Sequence, residues 1–179
     1  MNPLVLFLPA YRASRTAFVL GLVMLAAIDA VRMSFAGQVS TFLLVLILAL
    51  VMGFFVLSLH INRLRYVGRG GGLAVLPVLA GWVVSFIAAF MGWMGGYMEA
   101  VRQHLAANGN DTSDAVVLEA LQDPAFQQEI QRAMQSDPEL GMTVLSAGAW
   151  PSYFGFWLVI AAFAIWFALM TRRQSAGQA

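Results

Sequence analysis

Four apolar stretches, each long enough to cross a membrane, dominate this chain of 179 residues. They run from about Thr16 to Phe35, Val39 to His60, Leu73 to Met98 and Trp150 to Thr171. A span takes about 20 such residues, because a helix rises about 1.5 Å per residue and the hydrocarbon layer is about 30 Å thick. In lipid no water satisfies exposed N–H and C=O groups. Each stretch must therefore close its own backbone hydrogen bonds as an α-helix. A β-barrel is excluded, since barrel strands alternate apolar and polar residues and these runs do not. Composition agrees. With 60% hydrophobic and 11% charged residues, the chain cannot cover itself as a soluble domain, which carries about a quarter charged residues. A soluble enzyme and a disordered chain are both excluded. The expected fold is an all-α membrane protein with four transmembrane helices and a short helical extramembrane cap between helices 3 and 4.

Arginine sets the expected orientation. Arg12 and Arg15 precede the first span, Arg63, Arg65 and Arg69 join the second to the third, and Arg172 and Arg173 follow the fourth. Four spans put all seven on one side. The other side has Arg102 and Arg132, plus Arg32 near the end of the first span. The positive-inside rule then places both termini in the cytoplasm. Eight of the nine acidic residues lie between Glu99 and Glu139, on the opposite face. Trp93 and Tyr97 close the third span, and Trp150 and Tyr153 open the fourth, as amphipathic rings do at headgroup level.

The layout expected is that of a multi-pass membrane protein. Residues 1–15 form a cytoplasmic interfacial segment, in which Pro3 and Pro9 bracket the apolar Leu4 to Leu8. That stretch is too short for a signal peptide, and its positive charges follow it. Residues 16–98 hold helices 1–3, with the brief connection Ala36-Gly37-Gln38 and a cytoplasmic Arg/Gly loop at 61–72. Residues 99–149 are a periplasmic amphipathic cap, 150–171 are helix 4, and 172–179 are a cytoplasmic tail. Within the cap, Asp123-Pro124 and Asp137-Pro138 each read as an N-cap followed by Pro at the first helical position. Phe126, Ile130 and Met134 then recur every four residues, as do Leu140 and Val144. Val117, Leu118 and Leu121 predict another short helix. Asn108-Gly109-Asn110 is a turn that parts the cap from an extension of the third span.

Several residues are candidates for more than packing. Gly81, Ser85, Ala88, Gly92 and Gly95 repeat at spacings of four, three, four and three, and Gly96 completes a GxxxG with Gly92. Small residues let helix backbones approach closely in lipid, so this stripe marks a contact within the bundle or with another protein. Asp29 and Arg32 are ionisable residues inside the first span, functional candidates on that ground. At i, i+3 they can also neutralise each other on one helix face. Arg63, Arg65 and Arg69, ahead of Gly70-Gly71-Gly72, fit an anionic lipid headgroup or simple snorkelling. The Lys and Ser/Thr of a P-loop are missing there. His60 and His104 fall at opposite ends of their spans, about 30 Å apart. They read as interfacial side chains and cannot ligate one haem.

The remaining chemistry is sparse. Cysteine is absent, so no disulfide, thiolate metal site or iron–sulfur cluster is expected. No metal and no cofactor are expected. No long basic run offers a nucleic-acid surface. No nucleophile–base–orienter set is visible, so no enzyme is expected.

Two motifs carry a family resemblance. Tyr11-Arg12-Ala13-Ser14-Arg15-Thr16-Ala17-Phe18 resembles the opening signature of the bacterial domain-of-unknown-function 805 family, roughly G-R-x-x-R-x-x-F/Y-W. Arg63-Leu64-Arg65-Tyr66-Val67-Gly68-Arg69-Gly70-Gly71 resembles its second signature, roughly R-L-H-D-x-G-R-S-G. Tyr11 stands in place of the first Gly, Arg65 and Tyr66 in place of the His-Asp pair, and Gly70 in place of Ser. The resemblance covers about the first hundred residues and does not extend to the cap. It implies a small bacterial inner-membrane protein without an established activity.

The function expected is that of a non-catalytic accessory or assembly subunit. It would pack against a larger inner-membrane complex (respiratory, photosynthetic or transport), among membrane lipids that include anionic ones. The stripe of the third span would be its intramembrane contact, and Phe126, Ile130 and Met134 its cap contact. The alternative is a small carrier or lipid-binding protein that uses Asp29, Arg32 and the loop from Arg63 to Arg69.

Overall fold

A computed structural model describes residues 8–9, 11–34 and 42–171 of the chain. The apolar part of the N-terminal segment before Leu8, the Ala36-Gly37-Gln38 connection, and Arg172 and Arg173 lie outside the described residues. The chain is all-helical: α1 (Arg15–Ser34), α2 (Phe42–Tyr66), a 3-10 turn (Gly71–Ala74), α3 (Val75–Ala107), α4 (Asp114–Gln122), α5 (Pro124–Ser136), α6 (Pro138–Ala147) and α7 (Ala149–Leu169). Among the described residues there is no strand. Four helical stretches are long and apolar enough to cross a membrane: Arg15–Ser34, Leu46–Tyr66, Gly71–Ala107 and Glu139–Leu169. Only 17% to 44% of each apolar window is buried inside the chain. Most of that surface is therefore left for lipid or a partner.

Helix ends follow local chemistry. Ser14 Oγ accepts from the N–H of Ala17 at 3.3 Å and caps α1. Pro77 falls in the first turn of α3, where its missing N–H has no helical partner to lose. α2 was expected to close at His60 and instead continues to Tyr66. It then ends on Gly68 at φ +75°, with Gly68 N–H donating to the Arg65 carbonyl and Arg69 N–H to the Leu64 carbonyl. α3 ends the same way on Gly109 at φ +74°, with Asn110 N–H donating to the Leu105 carbonyl. Both are Schellman caps, which need a left-handed residue that glycine adopts without strain. The expected Arg/Gly loop is thus a shaped helix stop followed by a 3-10 turn.

Residues 1–85 and 153–179 form one unit, and residues 86–152 another. The division falls within α3 and within α7. In the first unit, Phe18, Leu22, Leu25 and Asp29 form the buried face of α1, while Leu20, Val23, Ile28 and Val31 face outward. Met52, Val56, Leu59 and Leu64 of α2 and Phe156, Ile160 and Phe167 of α7 complete its core. Apolar burial contributes little to helix association in lipid, so close van der Waals packing must hold such a core. Gly21 shows how tight it is: a Cβ there would stand 3.0 Å from Leu59.

In the second unit, α5 lays its apolar stripe over the C-terminal part of α3 and over α4. Ile130 is fully buried with Val101, Leu105 and Val117, and Phe126 and Met134 pack at its edge. Burying a side chain of that size from water stabilises by about 2 kcal/mol. Both Asp-Pro signals open helices as expected. Asp123 Oδ1 accepts from Ala125 N–H at 2.9 Å. Asp137 Oδ1 accepts from Glu139 N–H at 3.0 Å and Leu140 N–H at 3.3 Å.

Candidate functional site

The polar side chains of a spanning helix are the natural candidates for function, and in the first unit they gather at the end of α2. Ser58, His60, Asn62 and Arg63 are all buried. Met52, Val56, Leu59 and Arg63 follow one another at helical spacing. The polar residues thus continue the face that packs inward.

Arg63 is 3% exposed. Its Nε donates to the Phe167 carbonyl at 3.1 Å, and Nη2 donates to those of Ala168 and Met170, each at 3.0 Å. These carbonyls close α7, where the last turn has no intrahelical donors and the helix dipole is negative. Arg63 is thus the C-cap of α7, supplied from another helix. This corrects its expected place among headgroup-facing arginines: of that trio, Arg65 and Arg69 are exposed and Arg63 is not. Arg65 donates to the Pro9 carbonyl.

Asn62 ties down the chain ahead of α1. Its Nδ2 donates to the Leu8 carbonyl at 2.8 Å, its Oδ1 accepts from Tyr11 N–H at 3.1 Å, and its own carbonyl accepts from Ala13 N–H at 3.0 Å. The stretch from Tyr11 to Phe18 is thereby fastened to Asn62, the residue just ahead of the Arg63 to Gly71 stretch.

His60 is not interfacial. It is fully buried, edge-on to the rings of Phe18 at 5.1 Å and Phe167 at 5.4 Å. Its Nδ1 lies 2.8 Å from the Val56 carbonyl. A carbonyl only accepts, so Nδ1 carries the proton of this hydrogen bond. Among the described residues, Nε2 and Ser58 Oγ have no hydrogen-bond partner.

A second polar cluster joins α1 to α7. Asp29 is 3% exposed. Arg32 Nε donates to Oδ1 at 2.7 Å, as the i, i+3 spacing predicts. Trp157 Nε1 donates to Oδ2 at 2.8 Å, and Tyr153 Oη donates to the Ala26 carbonyl one turn away at 3.1 Å. Both carboxylate oxygens are satisfied. The indole tie was not read from the sequence; Trp157 falls inside the fourth apolar stretch.

The small-residue stripe packs within the chain along most of its length. In the first unit, a Cβ on Gly81 would stand 2.9 Å from Phe156. In the second, a Cβ on Gly92 would stand 2.6 Å from the Ala147 carbonyl oxygen, and one on Gly96 2.6 Å from the Ala147 Cβ. Gly148 answers Gly92: a Cβ there would stand 2.7 Å from the Ala89 carbonyl oxygen. Ser85 and Ala88 are half-buried. Gly95 alone of the stripe's glycines faces open space. The cap face expected to meet a partner, Phe126, Ile130 and Met134, is likewise turned inward, because leaving it in water would forfeit its burial. His104, half-buried on α3, meets Glu129 Oε1 at 2.9 Å and the ring of Phe126 at 5.9 Å.

No family model, curated protein or solved structure matches this chain.

Proposed function

We propose that this chain is a non-catalytic, multi-pass subunit of the bacterial inner membrane that packs against a larger membrane assembly. Both termini and the Arg65–Arg69 end would be cytoplasmic, and α4 to α6 periplasmic. The observation that carries the reading is how the buried polar groups are used. Asp29, Asn62 and Arg63 each hold one piece of chain to another, which is the work of a scaffold. The surface left for recognition is apolar: Phe86, Ile87, Phe90, Met91 and Met94 of α3 are all exposed. The contact to a partner therefore belongs on this outward face, since the glycine stripe packs internally. The arginine distribution supports the orientation, and the resemblance of two motifs to signatures of the domain-of-unknown-function 805 family supports the compartment.

Site-specific photocrosslinking tests this reading. A photoreactive residue at Phe90 or Met91, in the full chain and its own membrane, is expected to give a discrete adduct with another protein. Adducts to lipid alone, with a lone monomer recovered in mild detergent, would contradict it.

A further inference from the structure

The packing of α1 against α7 leaves a cavity of about 440 Å³ that the polar clusters do not use. It runs from Arg15 to Ala26 on α1 and from Trp157 to Leu169 on α7. The two helices are antiparallel here: Asp29, late in α1, meets Trp157, early in α7, and the groove runs on to Arg15 at the start of α1 and Leu169 at the end of α7. Its walls are apolar, and small residues of α7 (Ala161, Ala164 and Ala168) make it deep. Val23 and Ile165 on its rims are exposed, so it opens sideways into whatever surrounds the bundle.

Length and charge identify an occupant. Arg15 to Ala26 is eleven residue steps, about 16 Å of helix. Half of a hydrocarbon core about 30 Å thick is about 15 Å. The groove is thus one leaflet deep. A partner's transmembrane helix would need the full thickness. One charged residue, Arg15, lines the groove, at the end where a headgroup would lie. It is the first residue of α1, where the helix dipole is positive, and it has no hydrogen bond or ion pair among the described residues. Among the described residues its unit holds one acid, Asp29, which Arg32 and Trp157 already hold.

We propose that this groove holds an acyl chain of one anionic phospholipid, with the lipid phosphate on Arg15 and the chain end against Trp157. Any lipid tail can fill an apolar groove. Arg15 adds the choice of headgroup. The proposal stands whether or not the chain joins a larger assembly.

Native mass spectrometry of the full chain tests it, with dioleoylphosphatidylglycerol and dioleoylphosphatidylethanolamine in competition. These share acyl chains and differ in charge. The wild type is expected to retain one phosphatidylglycerol in preference to phosphatidylethanolamine. Arg15→Gln is expected to lower that preference about fivefold, equivalent to about 1 kcal/mol for one basic residue at a headgroup. Arg15→Lys is expected to keep most of it. Ala164→Phe fills the groove and is expected to remove the bound lipid whatever its headgroup. A wild type without preference, an Arg15→Gln protein that keeps it, or an Ala164→Phe protein that binds as the wild type does would overturn the proposal. A dimeric wild type made monomeric by Ala164→Phe would assign the groove to a second copy and overturn it equally. If Ala164→Phe does not fold, the two Arg15 variants decide alone, because that side chain is exposed.

Discussion

Residues 1–85 with 153–179 hold their helices together differently from residues 86–152. The first unit carries eight arginines and one aspartate, a net +7, and the second two arginines and eight carboxylates, a net −6. In the first, apolar residues cover both the inner and outer faces of the helices, so apolarity cannot specify which faces meet. Buried polar groups do so: Arg63 on the α7 carbonyls, Asn62 on the chain before α1, Asp29 on Trp157. In the second, α4 to α6 are short and amphipathic. α5 and α6 are specified by side-chain caps at their starts, and α5 by an apolar stripe that packs on α3 and α4. A helix that is apolar all round needs polar ties to fix its neighbours, and an amphipathic one needs only a start, a stop and a stripe.

The sharpest way to break this comparison is Arg63→Leu. It leaves three carbonyls of α7 without a donor. Hydrogen bonds from a charged group contribute about 1.5–3 kcal/mol each, so the loss is expected to reach about 3 kcal/mol. Unfolding of the detergent-solubilised protein would show it. A wild-type midpoint would mean that the tie contributes nothing.

The second unit offers a matched pair on one helix. Gly92→Leu pushes a side chain into the backbone at Ala147 and Gly148 and is expected to cost about 2 kcal/mol. Gly95→Leu meets open space and is expected to stay within about 0.5 kcal/mol of the wild type. Equal effects from the two would mean that the internal packing of the stripe is wrong.

What the sequence made legible divides along the same line. The Asp-Pro starts, the Asn108-Gly109-Asn110 stop and the α5 stripe were all readable, because each is a local signal with a local cause. The four spans were readable for the same reason. The inward turn of Arg63 and the burial of His60 were not. Hydropathy treats a polar residue as the end of a span, whereas a buried one ends nothing if a distant group satisfies it. For Arg63 those groups lie about a hundred residues away, at Phe167 to Met170, while His60 is held one turn back by the Val56 carbonyl. The signal that was available is the spacing, since Arg63 continues the stripe of Met52, Val56 and Leu59.

Smaller effects sharpen the picture of the second unit. Asp137→Ala removes an N-cap that accepts two backbone N–H groups. It is expected to cost about 1 kcal/mol, seen as faster amide exchange in α6 and not in α1 or α2. The smallest effect expected is a pH response ahead of α4. Hydrogen bonds from the Ser113 hydroxyl and backbone N–H hold Asp111 below its usual range. A carboxyl whose folded pKa is depressed stabilises above the unfolded value and loses that contribution as pH falls through the folded one. Amide protection at Ser113 should therefore persist at neutral pH and fade below about pH 4.

The proposed orientation puts the arginine-rich loop at Gly70 and the acidic stretch at Asn110 on opposite sides of a membrane. The chain has no cysteine, so single cysteines placed at Gly70 and at Asn110 can be read without background. With a membrane-impermeant maleimide applied to intact spheroplasts, Asn110→Cys is expected to label at once, and Gly70→Cys only after the membrane is opened. Labelling of both positions from the same side would contradict the account.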